Sequence, residues 1–426
     1  MSTMRKLVGG LERKYVINSI LSPIVMIGEV LMEVVIPFVM AKIIDVGIAN
    51  SDLPYVIKTG LMMIGLACVS LTCGVLGTRF STFAAQGYAY NLRKRLYDKI
   101  QSFSFANIDK FSTASLVTRL TTDVNMSQNV YRMLIHILFR SPIMLIAGTV
   151  MAFKLNASLA LVFLIAIPII AIGIAIISTM AYPRFEKMMH KFDDMNGAIQ
   201  ENLIGIRVVK AYVRGDFEES KFKKAAAAVK DAQTRAEKLV IFLMPLLQLV
   251  MYLTMIAVMW FGGHQVVEGH MLSGELISFF TYVTQVLSSL MMMGMIFLSL
   301  VMVKASNHRI CEVLDEVPDI AAPEDPITQV ADGSVEFENV DFSYNKSADN
   351  CVLSGVNLKI KSGQVVGIIG GTGSSKSTLV SLLPRLYDVF RGSVKVGGQD
   401  VRKYDLTVLR DSVAMVLQKN VLFSGS

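Results

Sequence analysis

With 53% hydrophobic and only 18% charged side chains over 426 residues, and a mean hydropathy of +0.52, this chain carries more apolar surface than soluble cores of its size bury. A net charge of +7 and a pI near 9.1 raise the question of nucleic acid, but the basic residues are spread between apolar runs and are not clustered with aromatics. No nucleic-acid partner is expected; anionic lipid headgroups account for the charge better. Cys68, Cys73, Cys311 and Cys351 have the spacing of neither a zinc site nor a disulfide framework.

Arg5, Lys6, Arg13 and Lys14 precede a first apolar run over 16–40, and others come at 56–78, 133–153, 158–181, 239–262 and 276–303. Each is close to or above the roughly 20 residues that a helix needs to cross a bilayer. The first is too long for a signal-peptide core and lacks a small-residue cleavage site, so a retained anchor is expected. The connections at 49–54, 154–157 and 263–274 are short and nearly free of Lys and Arg, whereas those at 79–132 and 182–238 are long and rich in both. The positive-inside rule then places the long loops and both ends in the cytoplasm, with the protein multi-pass in the plasma (inner) membrane.

Helical apolar spacing continues through Tyr88–Phe103 and Asn196–Val213, so the middle spans are expected to extend as helices well past the membrane. Near the loop turns lie Ile108, Phe111, Leu203, Ile204 and Ile206, apolar residues that need a partner surface. Hairpin packing is one reading of them, and docking onto a second domain is the other. Glu29 and Glu33 share a face of the first span, and Arg140 lies inside the third. Intramembrane charge is costly, so a structural Glu–Arg pairing, or a solvated cavity on the cytoplasmic side, is weighed ahead of a substrate contact. Met291, Met292, Met293 and Met295 read as adaptable packing.

From 304 to 331 the composition turns acidic and proline-bearing (Pro318, Pro323, Pro326), which marks a linker between a membrane domain over 1–303 and a second domain over 332–426. Strands are expected at 335–340, 352–360, 365–369, 392–396 and 413–418. The stretch 365–369 leads into Gly370-Gly371-Thr372-Gly373-Ser374-Ser375-Lys376-Ser377-Thr378, and an apolar run comes after it. A strand, a glycine-rich turn and a helix in this order bring backbone N–H groups onto a phosphate-sized space. Lys376 is placed to reach the β- and γ-phosphates of a nucleotide, and the Ser377 hydroxyl to bind Mg²⁺. One position departs from the pattern: Ser375 stands where glycine is expected before the lysine. If the backbone there needs a positive φ, the serine costs about 1 kcal/mol or more; if helical φ suffices, little.

With these residues in place, the chain resembles a half-transporter of the ATP-binding cassette (ABC) exporter family. Phe111-Ser112-Thr113-Ala114-Ser115-Leu116-Val117-Thr118-Arg119-Leu120-Thr121-Thr122-Asp123-Val124 is similar to that family's first intracellular loop. Glu201-Asn202-Leu203-Ile204-Gly205-Ile206-Arg207-Val208-Val209-Lys210-Ala211-Tyr212 is similar to its second. The resemblance implies an all-α membrane domain of six long helices followed by a partial α/β P-loop nucleotide-binding domain. In it the loops would carry coupling helices that dock on nucleotide domains. It also implies adenine stacking by Tyr344, phosphate and Mg²⁺ binding by the turn, and at Gln418 a glutamine that contacts Mg²⁺ or the attacking water and senses the coupling helices. ATP and Mg²⁺ are then the expected cofactors. A second half-transporter, identical or not, is the expected partner, and a hydrophobic small molecule, lipid or peptide the cargo. The family's signature loop, catalytic carboxylate and switch histidine lie beyond the glutamine, so the resemblance implies truncation there and no catalytic base within 1–426. The expected function is ATP-driven export, with an ATP-binding, non-hydrolysing regulatory half as the alternative.

Overall fold

The computed structural model describes residues 2–345 and 351–416. It divides into two compact units, one of Gly10–Ala89 and Met126–Ala305, the other of Met1–Gly9, Tyr90–Asn125 and Ser306–Ser426.

Among the described residues, six helices are long and apolar enough to cross a membrane. They are built from α2 (Arg13–Lys42, continued by a π-helical stretch Ile43–Ile48), α3 (Leu53–Gln101), α6 (Val124–Leu155), α7 (Ala157–Ile204), α9 (Gly215–Val267) and α10 (Ser273–Asp315). α1 (Ser2–Val8) precedes them, α4 (Phe105–Phe111) and α5 (Thr113–Thr118) lie between α3 and α6, and α8 (Ile206–Ala211) turns α7 into α9. At 1.5 Å per residue α7 is about 70 Å long, more than twice the hydrocarbon thickness of a bilayer. The expected extension of the middle spans is therefore present. Asn156 caps α7, its Oδ1 accepting the Leu159 N–H at 3.1 Å.

The core of the first unit is all aliphatic and aromatic, with Val30, Val34, Met144, Phe279, Tyr282 and Val286 buried. Pro37 inside α2 cannot donate to the carbonyl of Glu33 and disturbs the turn around it. α10 adds side-chain donors to the carbonyls of this turn. Tyr282 Oη donates to Val34 O at 2.6 Å, Ser278 Oγ to Pro37 O at 2.5 Å, and Gln285 Nε2 reaches Glu33 O at 3.5 Å. Glu33 and Arg140 pair as the sequence suggested, with both carboxylate oxygens 2.7 and 2.8 Å from one guanidinium nitrogen.

The second unit joins the tip of the first long loop to the C-terminal part of the chain. Its sheet is antiparallel, in the order β2-β1-β3-β4, from β1 (Val335–Phe342), β2 (Leu353–Ile360), β3 (Arg391–Val396) and β4 (Gln399–Asp400). Val335 pairs with both Ile360 and Val396, and Phe337 with Leu358 and Val394. One face buries Phe337, Val340, Phe342, Val394 and Val396 against Tyr404 and Leu409. Gly392 is obligatory at its place, since φ is +83° and a Cβ would lie 2.3 Å from Asn339 O. Two expectations fail. Residues 365–369 and 413–416 are not in strands, and Val365 and Ile369 are fully exposed. An apolar strand flanking a P-loop needs sheet neighbours, and none of the described residues supplies a ladder for either run.

α10 continues to Asp315, inside the stretch expected as a linker, and the rest of that stretch is anchored to the sheet domain. Ile327 N donates to Lys403 O at 2.9 Å and Asp405 N to Ile327 O at 3.0 Å, a parallel bridge to the segment after β4.

Candidate nucleotide site

The glycine-rich turn closes on itself. Lys376 Nζ donates to the carbonyls of Gly370 at 2.8 Å and Gly371 at 2.7 Å, and lies 3.1 Å from Ser374 Oγ. Ser374 Oγ donates to Gly371 O at 2.9 Å. Gly373 sits at φ +85° and, like Gly371, has open space on its Cβ side. A larger group can thus approach this backbone closely. Ser375 sits at φ +60°, ψ +20°, which settles the question its identity raised: the position needs left-handed backbone, and the serine costs about 1 kcal/mol there. The next helix, α11 (Lys376–Ser381), is short, with Ser377 exposed and Thr378 buried. Thr372 is exposed at the apex of the turn.

Tyr344 lies beside this turn. Its Oη shares a 2.9 Å hydrogen bond with Thr378 Oγ1, and its ring makes edge contacts with Phe342 (centroids 4.9 Å apart) and Tyr387 (5.2 Å). The turn offers open glycine backbone, a primary amine and an exposed hydroxyl, and an aromatic ring stands next to it. This donor set has the chemistry that a nucleoside triphosphate with Mg²⁺ requires. Gln418 lies outside the described residues.

The sequence did not single out Tyr387. Its Oη donates to Asp109 Oδ2 at 2.9 Å, and its ring lies 6.0 Å from that of Phe105, so α4 is seated on it. Burial first, and then the Asp109 carboxylate that accepts its bond, push the Tyr387 phenol above its ordinary range. The signal for it was indirect, an apolar loop tip in search of a surface and an aromatic in Leu386-Tyr387-Asp388. α4 is held from its other side as well. Asn107 Nδ2 donates to Glu316 Oε1 at 2.9 Å and Val317 O at 3.1 Å, and Lys110 pairs with Glu316 at 2.7 Å. That bond from Lys110 keeps the Glu316 carboxyl below its ordinary value.

A raised folded pKa stabilises below the unfolded value, about 10 for tyrosine, and that stabilisation is lost as pH rises through the folded value. The attachment of α4 should therefore weaken above about pH 10. Hydrogen exchange of the α4 amides at pH 9 and 11 will show an added loss of protection in the wild type. In Tyr387→Phe the Asp109 bond is absent at both values and that increment disappears.

The second loop tip differs. Leu203, Ile204, Tyr212, Val213 and Phe217 around α8 are all well exposed, Val213 at 88%.

Two family profiles match this chain. One, described as ABC transporter transmembrane region, covers residues 19–290; the other, described as ABC transporter, covers 353–426. An ABC transporter ATP-binding protein of Bacillus subtilis (strain 168), YfiB, is 34% identical over 403 residues, 95% of this chain and 70% of its own length. A similar protein of Mycobacterium tuberculosis (strain CDC 1551 / Oshkosh) is 32% identical over 398 residues, 93% of this chain and 68% of its own. An ATP-dependent lipid A-core flippase of Desulfotalea psychrophila is 26% identical over 365 residues, 85% of this chain and 63% of its own.

Proposed function

This chain belongs to the ABC transporter family as an exporter-type, multi-pass membrane protein with an ATP-binding module, and from that premise we propose that it is one half of a dimeric transporter that moves hydrophobic or amphipathic molecules, lipid-like ones foremost, out across the plasma membrane. The observation that carries this reading is the run of contacts from Asp109 through Tyr387 and Tyr344 to Thr378, which links a loop between two membrane helices to the phosphate turn. A shift of the turn on nucleotide binding has a packed path to α4.

In this proposal residues 1–303 carry the cargo and 332–426 the nucleotide, with the amino terminus and the nucleotide part in the cytoplasm, as the basic long loops favour. Tyr344 stacks on adenine. Lys376 and the backbone from Gly370 to Ser375 hold the phosphates, while Ser377, with Gln418, orients Mg²⁺. Bound ATP supplies the free energy of phosphoryl transfer. The exposed apolar residues around α8 favour a second half-transporter as partner, since they would otherwise stand in water. The flippase relative favours a lipid-like cargo.

The test uses inside-out membrane vesicles that contain the protein and a fluorescent phospholipid. Lipid should cross the bilayer with Mg²⁺-ATP and stay in place with Mg²⁺-ADP. Equal movement with both nucleotides would overturn the reading.

A further inference from the structure

Two carboxylates of α2 compete for one guanidinium. Glu29 and Glu33 lie one helical turn apart on the same face, and Arg140 of α6 stands opposite both. Arg140 Nη2 donates to both oxygens of Glu33, at 2.8 and 2.7 Å. The same nitrogen lies 3.8 Å from Glu29 Oε1, within the range of an ion pair and beyond that of a hydrogen bond.

The carboxylate that loses this competition is poorly served. Glu29 Oε2 is buried and has no hydrogen-bond partner among the described residues. α3 packs its bare backbone onto that carboxylate at Gly74, where a Cβ would lie 3.3 Å from Oε1 and 3.4 Å from Oε2. A donor for it must therefore come from the protein, and Arg140 is the cation it faces. A buried polar atom without a partner is a standing penalty, which favours any small movement that brings Arg140 closer. Closing 3.8 Å to an ordinary hydrogen bond takes about 1 Å.

α10 holds a donor in reserve for the other carboxylate. Gln285 Nε2 reaches the main-chain oxygen of Glu33 at 3.5 Å, and Gln285 Oε1 is buried with no partner among the described residues. The amide is thus weakly committed and stands beside Glu33. A rotation of its side chain can carry Nε2 from the carbonyl to the carboxylate.

We propose that Arg140 is a two-position switch between α2 and α6, exchanging Glu33 for Glu29 during the transport cycle while Gln285 takes over Glu33. This deepens the transport reading above and rests on it for the force that throws the switch. In one position Arg140 gives Glu33 two bonds and Glu29 goes short. In the other Arg140 serves Glu29, and a neutral amide serves Glu33. Each position satisfies one carboxylate fully and the other in part, so the pair of helices has two settings and no favourable one between them. The exchange needs α2 to slide along α6 by about 1–2 Å, the size of shift that packed helices make between discrete states.

The test uses the whole chain in phosphatidylcholine nanodiscs and measures Mg²⁺-ATP affinity by titration calorimetry. Glu29→Gln and Glu33→Gln each delete the charge of one position, so they bias the switch in opposite senses. They should therefore move ATP affinity in opposite directions, each by about fivefold or more. A pair that only holds the helices together would move both variants the same way or neither, and either result would overturn the proposal. So would a Glu29 that carries a proton throughout, because Glu29→Gln would then match the wild type. Electron cryomicroscopy in the same nanodiscs reads the switch without ATP. In Glu33→Gln, Arg140 should lie within about 3 Å of Glu29, with α2 displaced along α6. An unmoved Arg140 on unmoved helices would overturn the proposal. Should that variant not fold, the wild type decides: Arg140 should sit on different carboxylates with and without Mg²⁺-ATP, and the same carboxylate in both would overturn it. Failure of these measurements leaves ATP-driven lipid movement standing. A wild-type chain that moves no lipid but shows the exchange would overturn the functional reading alone.

Discussion

Replacing Lys376 by alanine weakens ATP binding by about 100-fold, the equivalent of about 2.8 kcal/mol, and leaves adenosine binding within about threefold of wild type. The amine of Lys376 is tied to Gly370 O, Gly371 O and Ser374 Oγ, so its loss acts twice. It removes the positive charge that phosphates require, and it unties the turn whose backbone is to meet them. Neither effect reaches the base, because Tyr344 is held by Thr378, Phe342 and Tyr387 independently of the lysine. Titration with ATP, ADP and adenosine separates the two contributions, since only phosphorylated ligands should lose affinity. A parallel loss of adenosine affinity would mean that the variant has disordered the whole nucleotide part.

Asp123→Ala destabilises the second unit by about 3 kcal/mol. Asp123 is fully buried and accepts from Arg309 Nε at 2.8 Å and Nη2 at 2.5 Å. Arg119, buried beside it with its guanidinium 4.8 Å from the Phe111 ring, donates to Arg309 O at 2.8 Å and pairs with Glu312 at 2.9 Å. Breaking a buried ion pair from one side costs about 3–5 kcal/mol when the surviving charge is trapped. Arg309 is 44% exposed and can turn to water, which places the expected cost at the low end. Denaturant unfolding followed through α4 and α5 measures it. In a double-mutant cycle, Arg309→Ala on the Asp123→Ala background should cost less than about 1 kcal/mol more.

What could be read from the sequence was what depends on near neighbours. Hydropathy over twenty residues located all six spans, because a helix satisfies its own backbone wherever lipid surrounds it. The turn from Gly370 to Thr378 was legible because its chemistry is written in consecutive residues. The φ of Ser375 was not, since serine is compatible with either backbone class and only the closed turn selects one. The strands expected at 365–369 and, over its described residues 413–416, at 413–418 misled for a related reason. Val365 to Ile369 has strand composition, but a strand exists only with a neighbour, and pairing is a property of distant segments. Tyr387 was invisible because a single tyrosine in Leu386-Tyr387-Asp388 has no period, and its meaning lies in Asp109 and Phe105, far away in the chain.

The hairpin of α7 and α9 has a mechanical consequence. About 40 Å of it stands beyond the thickness of a bilayer, by the 1.5 Å rise per residue. A pivot where the helices leave the bilayer would make it a lever arm. A tilt of about 5° at the pivot carries the α8 tip sideways by about 3.5 Å, by the same helix length. Run backwards, the ratio trades travel for force: a modest push at the tip produces a small, strong rotation where the helices enter the bilayer. A partner docked on the exposed residues at that tip, Ile204 and Val213 among them, would thus have the greatest mechanical advantage over the membrane helices.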